Sequence, residues 1–143
     1  MLDLIYDRTA ADVANNTAKG RYAYSDLNRV ETAVATLASE LRAAGISIVL
    51  ITKTDWHEAT DAGDAQDTPT AADMTRYLDN VAAIRGAIAV YRETPPVPGS
   101  MARLTWQRAN DIERILADVE VLINNMIAAQ FFSGEIYCGE AQA

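Results

Sequence analysis

The stretch TWQRANDIERILADVEVLINNMIAAQ, residues 105–130, is the longest run of this chain that has an unbroken apolar periodicity and no helix breaker. Its residues recur at alternating spacings of three and four, at Ala109, Ile112, Leu116, Val119, Ile123, Met126 and Gln130, and the pattern is widened by Ile115, Leu122 and Ile127. Such spacing places apolar residues on one face of an α-helix. The stretch predicts a long helix that buries this face, with Thr105 as its N-cap and its end at residues 131–134.

Two other stretches predict long helices with the same spacing. One follows Ser25, ends before Gly45, and carries Leu27, Val30, Val34, Leu37 and Leu41. The other follows Thr70, whose hydroxyl can form a capping box with Asp73, and the prolines of residues 95–98 end it. A shorter capping box, Thr9 with Asp12, predicts a short helix near the N-terminus.

Extended segments are predicted around these helices. Residues 1–8 alternate loosely, residues 46–53 are rich in β-branched side chains and predict a strand or an extended segment, and residues 133–140 predict an extended tail. The predicted fold class is therefore mainly α, with three long helices in a bundle and short extended N-terminal, central and C-terminal segments. Residues 1–143 are expected to form a single helical domain with a mobile acidic loop near 54–69 and a Pro-rich connector near 94–100.

Composition narrows the classes of partner. The formal net charge of −8 would repel both a nucleic-acid backbone and an anionic membrane surface. No run approaches the roughly 18 apolar residues of a membrane span, and Cys138 is the only cysteine, so no intrachain disulfide can form. We therefore expect neither nucleic acid nor a membrane as a partner.

The sequence offers few groups for catalysis or metal binding. His57 lies near Asp55 and Glu58, which could form an acid/base pair, but no nucleophile motif accompanies this single histidine. The acidic residues of the 54–69 loop could bind calcium weakly, but their spacing does not match that of an EF-hand. We expect a flexible acidic loop, no metal, no cofactor and no enzymatic activity.

Aromatic residues in loops and at helix ends are candidate interface anchors. They are Trp56, Trp106, Phe131, Phe132 and Tyr137. Ordinary core packing is the alternative for all of them, and it is favoured for Trp106.

Two asparagines are candidates for structural hydrogen bonds. The sequence Leu27-Asn28-Arg29-Val30-Glu31 is similar to Ala109-Asn110-Asp111-Ile112-Glu113, and each stands near the start of a predicted helix. Asparagine lowers helix propensity, so its recurrence suggests that Asn28 and Asn110 bind a neighbouring segment such as the connector or the tail. Chance similarity between two amphipathic helices is the alternative.

Blocks spread over nearly the whole chain resemble a family of small, largely uncharacterised proteins encoded in the tail and baseplate regions of phages and prophages of Gram-positive bacteria. The blocks are Asp7-Arg8-Thr9, residues 25–31 (SDLNRVE), Lys53-Thr54-Asp55-Trp56, residues 69–74 (PTAADM), residues 77–81 (YLDNV), residues 104–113 (LTWQRANDIE) and Phe132-Ser133-Gly134-Glu135. They occur in the expected order, which is more specific than any single block.

This resemblance implies a structural component of the virion that assembles in the host cytoplasm. It implies a homo-oligomer in contact with other tail or baseplate proteins, and it supplies no catalytic residue. Two other classes of function remain open. One is an intracellular helical adaptor or regulatory module that captures a partner helix and is monomeric alone, and the other is a small hydrolase centred on His57.

Overall fold

A computed structural model describes the backbone of residues 1–142 and the side chains of residues 1–129. Within that part of the chain it forms four helices and no strand: α1 (Ala10–Ala14), α2 (Tyr24–Ala43), α3 (Ala71–Ala87) and α4 (Trp106–Gln142). The protein is mainly helical, as predicted. None of the described helices has a stretch long and apolar enough to cross a membrane.

Side-chain caps fix the starts of three helices. Thr9 with Asp12 and Thr70 with Asp73 form reciprocal capping boxes at α1 and α3, as their sequences predict. At α4 the Thr105 hydroxyl accepts a hydrogen bond from the Arg108 N–H at 3.2 Å. Each cap satisfies a backbone N–H that has no partner within its own helix.

The core lies where α2, α3 and α4 meet, and each of these helices contacts the other two. Its largest fully buried apolar side chains are Leu37, Leu41, Tyr77, Ile84, Ile112, Ile115, Leu116 and Ile123. Arg29, near the start of α2, binds Glu113 near the start of α4, and Arg76, near the start of α3, binds Glu31 of α2. The three helices therefore begin at the same end of the molecule and run in the same direction.

A parallel arrangement requires the chain to return between helices. Residues 46–56, here called the central segment, run back along α2, because Ile48 is bound by Arg42 near the end of α2 and Trp56 by Asn28 near its start. The side chains of Ile46, Ile48 and Leu50 pack against the core. The segment alternates like a strand but pairs with no other strand in residues 1–142, so the extended alternative is the one adopted.

The C-terminal residues differ from expectation. We predicted an extended tail at residues 133–140, but α4 continues to Gln142, so this prediction is wrong. Gly134 and Gly139 each cost a helix about 1 kcal/mol relative to alanine, yet neither removes a backbone N–H. No proline follows Pro98, so no residue of the helix lacks a backbone N–H.

Candidate functional site

Two polar residues near the start of α4 hold the N-terminal segment, residues 1–8. The Arg8 N–H donates to Asn110 Oδ1 at 3.0 Å, and Asn110 Nδ2 donates to the Arg8 carbonyl at 2.9 Å. One turn further along α4, Glu113 Oε1 accepts the Ile5 N–H at 2.9 Å. We call Asn110 and Glu113 the α4 clamp, because together they bind the backbone of an extended tetrapeptide.

The Arg8 side chain completes a buried ionic network at this clamp. Its guanidinium donates to Glu113 Oε2 at 2.8 Å and to Asp26 Oδ1 at 3.2 Å, and Arg8 is only 3% exposed. Arg29 of α2 binds the same two carboxylates, with distances of 2.7 and 2.9 Å to Glu113 and 2.6 Å to Asp26. Two cations and two anions thus neutralise each other, as burial of charge requires.

α2 repeats this arrangement with a different segment. The Trp56 N–H donates to Asn28 Oδ1 at 2.8 Å, and Asn28 Nδ2 donates to the Trp56 carbonyl at 2.8 Å. Glu31 Oε1 accepts the Lys53 N–H at 3.0 Å. Asn28 and Glu31 therefore form an α2 clamp that holds the central segment as the α4 clamp holds the N-terminal one.

The equivalence extends to the side-chain partners of each glutamate. Glu31 Oε2 accepts the Trp56 indole N–H at 2.6 Å, in the role that Arg8 has at Glu113. Arg76 of α3 reaches both oxygens of Glu31, at 2.6 and 3.2 Å, as Arg29 of α2 reaches Glu113. Each clamp thus consists of an Asn-x-x-Glu helix, an extended segment and an arginine from the neighbouring helix.

The third helix has the corresponding positions but neither the asparagine nor the glutamate. Aligning Arg76 with Arg29 matches the buried residues of α3 with those of α2. In this alignment Thr75 stands at the position of Asn28, and Leu78 at that of Glu31. Leucine has no acceptor for a backbone N–H, so α3 carries no equivalent clamp.

A groove of about 670 Å³ lies at this position on α3. Its walls include Met74, Thr75 and Leu78 from α3 and Val97, Pro98 and Met101 from the chain that leads into α4. The connector is anchored outside the groove, since Arg85 donates to the Pro95 carbonyl at 2.9 Å and Thr94 donates to Asp118 at 2.7 Å. The connector therefore runs back along α3 and forms one wall of the groove, and its Val97 and Met101 side chains pack against the core.

A pair of tyrosines lies between the clamps. The hydroxyls of Tyr22 and Tyr77 are hydrogen-bonded to each other. Burial raises the pKa of both hydroxyls above the ordinary tyrosine value, and the nearby Glu113 carboxylate raises the pKa of each further. Both side chains therefore remain neutral donors and acceptors at physiological pH.

The aromatic residues that were predicted as interface anchors differ in their burial. Trp56 is 4% exposed and packs in the core of its own chain, which is the core-packing alternative. Trp106 is half-buried beside Arg8 and Tyr22 at the start of α4. The side chains of Phe131, Phe132 and Tyr137 lie outside the described residues.

The sequence predicted a structural role for the two clamp asparagines but not for the two clamp glutamates. Asn28 and Asn110 each bind a neighbouring extended segment, although the partners are residues 1–8 and 46–56 instead of the connector or the tail. Sequence reasoning did not single out Glu31, Glu113 or Arg8. A signal was present, because each glutamate stands inside an apolar face, where an unpaired charge is costly.

The loop around His57 shows no catalytic constellation. His57 is exposed, its Nδ1 lies 3.0 Å from the carbonyl oxygen of Glu58, and the Asp55 carboxylate binds Lys53 instead of the imidazole. The loop also binds itself, with Asp67 N–H donating to the His57 carbonyl at 3.0 Å. The candidate functional features are therefore the two clamps and the α3 groove.

No protein-family model, curated protein or solved structure matches this chain.

Proposed function

We propose that this chain is a structural protein of the tail or baseplate region of a phage or prophage, and that it acts through protein–protein assembly. The ordered blocks of sequence that resemble such proteins support the identity. The two clamps support a role in assembly instead of catalysis, because their polar residues hold segments of the chain itself and present no reactive group. No enzymatic step is part of the proposal.

One observation carries the assembly role: α4 is much longer than the helices that pack against it. It has 37 residues against 20 in α2 and 17 in α3, so at 1.5 Å per residue it is about 56 Å long against about 30 and 26 Å. Since the three helices begin at the same end, the last part of α4 extends past the other two. A helix that is longer than its neighbours is suited to joining one protein to the next.

We further propose that α2, α3 and α4 form a three-helix bundle that acts as a rigid body, and that copies of the chain associate through α4. Within residues 106–129, two large apolar side chains of α4 are exposed, Val121 at 44% and Ile127 at 43%. Such residues are available to a partner without any rearrangement of the core.

The first experiment locates the protein. Particles released from an induced lysogen that encodes this chain would be purified on a density gradient and probed with an antibody against the chain. We expect the protein to sediment with tail-containing particles and immunogold to label one end of the tail. A protein found only in the soluble fraction would contradict the virion assignment.

The second experiment tests self-association through α4. Light scattering across a dilution series would give the mass of the full chain and of the variants Val121→Asp and Ile127→Asp. We expect an oligomer that at least one of the two variants dissociates, while Val13→Asp, at an exposed position on α1, leaves it intact. A monomer at every concentration would contradict homo-oligomerisation.

An intracellular adaptor is the second candidate, and the α3 groove is the observation that favours it. An adaptor would be monomeric alone and would be absent from purified particles. The two experiments therefore separate the candidates.

A further inference from the structure

The central segment exposes apolar side chains on its outer face. Its side chains alternate, so that Ile46, Ile48 and Leu50 pack against the core while Val49 and Ile51 point outward. Val49 is 86% exposed and Ile51 is 76% exposed. Two β-branched side chains that stand side by side in solvent form an apolar patch that another chain can cover.

The backbone groups of the segment point alternately toward α2 and α3. On the α2 side, the Ile48 carbonyl accepts a hydrogen bond from Arg42 at 3.3 Å. On the α3 side, the Ile51 carbonyl accepts from Arg76 at 2.7 Å and from Asn80 at 2.8 Å. Even-numbered residues therefore direct their N–H and carbonyl groups toward α2 and odd-numbered residues direct theirs toward α3, as in a β-strand.

The edge of the segment that faces α2 is the freer of the two. Among residues 1–129, the N–H groups of Ile48, Leu50 and Thr52 and the carbonyls of Leu50 and Thr52 make no hydrogen bond with the rest of the chain. The Arg42 bond to the Ile48 carbonyl is long and exposed, so a backbone N–H can take its place. This edge therefore offers the row of donors and acceptors that a neighbouring strand binds.

The space beside this edge admits such a strand. It measures about 190 Å³, and its α2 wall consists of small side chains together with Arg42, namely Ala35, Ala38 and Ser39. Paired strands lie about 4.8 Å apart, so an added backbone would run over these small side chains. Free strand edges are commonly blocked by charged residues or proline, but residues 43–52 contain neither.

A second copy of the same segment matches the hydrogen-bonding groups of this edge. In an antiparallel pair centred on Leu50, the two copies of Leu50 exchange both of their backbone hydrogen bonds. Ile48 of each copy exchanges both of its bonds with Thr52 of the other. Six backbone hydrogen bonds thus form about one two-fold axis, and they use only the groups that face α2.

The side chains agree with the same register. Val49 of each copy lies opposite Ile51 of the other, so the four exposed apolar side chains cover one another in two cross-strand pairs. Lys53 lies opposite Ser47, so no like charges meet in the pair, although each chain carries −8. An acidic partner of a different sequence would lack this match.

From these observations we propose that the central segment is an interface between two copies of this chain, in which the segments pair antiparallel about a two-fold axis at Leu50. The clamp bonds at Lys53 and Trp56 lie outside the paired residues 48–52 and stay intact. A two-stranded contact is marginal by itself, so it should require a higher protein concentration than association through α4. The pairing goes beyond the proposed function, and it does not depend on whether the chain belongs to a virion.

Disulfide trapping tests the register on the full chain. In a Cys138→Ser background, Val49→Cys and Ile51→Cys would be purified separately, mixed in equal amounts and oxidised with glutathione. Residues that lie opposite each other in a non-hydrogen-bonded pair have Cα atoms about 4.5 Å apart, which a disulfide can bridge. We expect the mixed dimer to form at least fivefold faster than a homodimer of either variant, because identical residues lie diagonally, about 7–8 Å apart.

A mixture of Val49→Cys with Val13→Cys is the control for random collision, since Val13 is an exposed residue of α1. Mass spectrometry would identify each dimer. The control should form its mixed dimer at least fivefold more slowly than Val49→Cys with Ile51→Cys.

Amide hydrogen exchange gives a second reading that needs no cysteine. Raising the protein concentration should slow exchange at the amides of residues 48, 50 and 52 at least fivefold, while the odd-numbered amides between them keep their rates, because only one edge is covered. Ile51→Lys, which places a charge in the apolar pair, should abolish the slowing. Ile127→Asp, on α4, should leave it in place.

Two results would overturn the proposal. One is a mixed dimer of Val49→Cys and Ile51→Cys that forms no faster than the homodimers or the Val13→Cys control. The other is exchange at residues 48, 50 and 52 that does not change with protein concentration. Neither result affects whether the protein sediments with tail particles, so failure here is distinguishable from failure of the proposed function.

Discussion

The α4 clamp and the α2 clamp bind backbone in the same way but bury very different side chains. Each uses an asparagine to bind the N–H and carbonyl of one residue and a glutamate to accept the N–H three residues earlier. The held residue is a charged Arg8 in one case and an aromatic Trp56 in the other. The clamp glutamate accepts either side chain, because a guanidinium and an indole both supply an N–H donor.

The surroundings of the two glutamates differ in their access to water. Glu113 binds two arginines, Arg8, whose side chain is 2% exposed, and Arg29, whose side chain is 17% exposed. Glu31 faces Arg76, whose side chain is 22% exposed and keeps some contact with solvent. The same hydrogen-bond pattern should therefore be more costly to break at α4 than at α2.

The largest expected effect comes from removing one clamp charge. Glu113→Gln leaves Arg8 and Arg29 to share Asp26 alone, and breaking a buried ion pair in this way costs about 3–5 kcal/mol. Glu31→Gln keeps an acceptor for the Lys53 N–H and leaves Arg76 partly solvated, so we expect a loss of about 1–2 kcal/mol. Urea unfolding of both variants would measure the difference.

Glu58→Gln, at an exposed loop position, is the control and should change the free energy of unfolding by less than about 0.5 kcal/mol. Equal losses for Glu113→Gln and Glu31→Gln would show that burial of the arginine partner does not distinguish the clamps.

Replacing either clamp asparagine should reduce the free energy of unfolding by a similar amount, in contrast to the glutamates. Asn110→Ala and Asn28→Ala each remove two hydrogen bonds to a backbone segment, and we expect each to cost about 2–3 kcal/mol. Thermal and urea unfolding should give losses within about 1 kcal/mol of each other, the spread typical of such bonds. Asn125→Ala, on an exposed part of α4, should be near neutral; an unchanged melting temperature for Asn110→Ala would refute the clamp.

The helices were predictable from the sequence because each carries a local signal. The apolar spacing of residues 105–130 and the capping boxes at Thr9 and Thr70 depend only on neighbours in the chain. The extended nature of residues 46–53 also followed from composition, although their lack of a strand partner did not. The end of α4 was missed because isolated glycines were given the weight of helix breakers.

The clamps were only half predictable. The repeated asparagine was visible, but its partners lie 28 and 102 residues away in the sequence, and spacing within a helix says nothing about contacts at that distance. The burial of Trp56 follows from its bond to Glu31, which no local pattern encodes. The α3 groove depends on how the connector packs against α3, which no local pattern encodes either.

Alkaline pH should change the free energy of unfolding by a smaller amount, through the tyrosine pair that lies between the clamps. Burial raises the pKa of Tyr22 and Tyr77 above the value of about 10 that tyrosine has in an unfolded chain. Above pH 10 the unfolded chain therefore loses protons that the folded chain retains, and the folded state becomes less stable as the pH rises. The slope is about 1.4 kcal/mol per pH unit for each tyrosine that stays protonated.

Urea unfolding between pH 9 and 11 would measure this slope, and Tyr22→Phe should reduce it by removing one of the two titrating groups. A free energy of unfolding that is independent of pH across this range would mean that neither hydroxyl is held in its neutral form by burial.

The smallest effect is expected one residue beyond the α2 clamp, where the held segment gives way to the acidic loop. Trp56 is bound through its N–H, its carbonyl and its indole, whereas the His57 imidazole is exposed and approaches only the Glu58 carbonyl. His57→Ala should therefore change the free energy of unfolding by less than about 0.5 kcal/mol, while Trp56→Ala should cost about 3–5 kcal/mol. Urea unfolding would measure both losses, and a large difference between them would show that the segment held by the α2 clamp ends at Trp56. A large loss for His57→Ala would place the loop within the folded unit, and a hydrolytic activity that His57→Ala abolished would return the catalytic alternative to consideration.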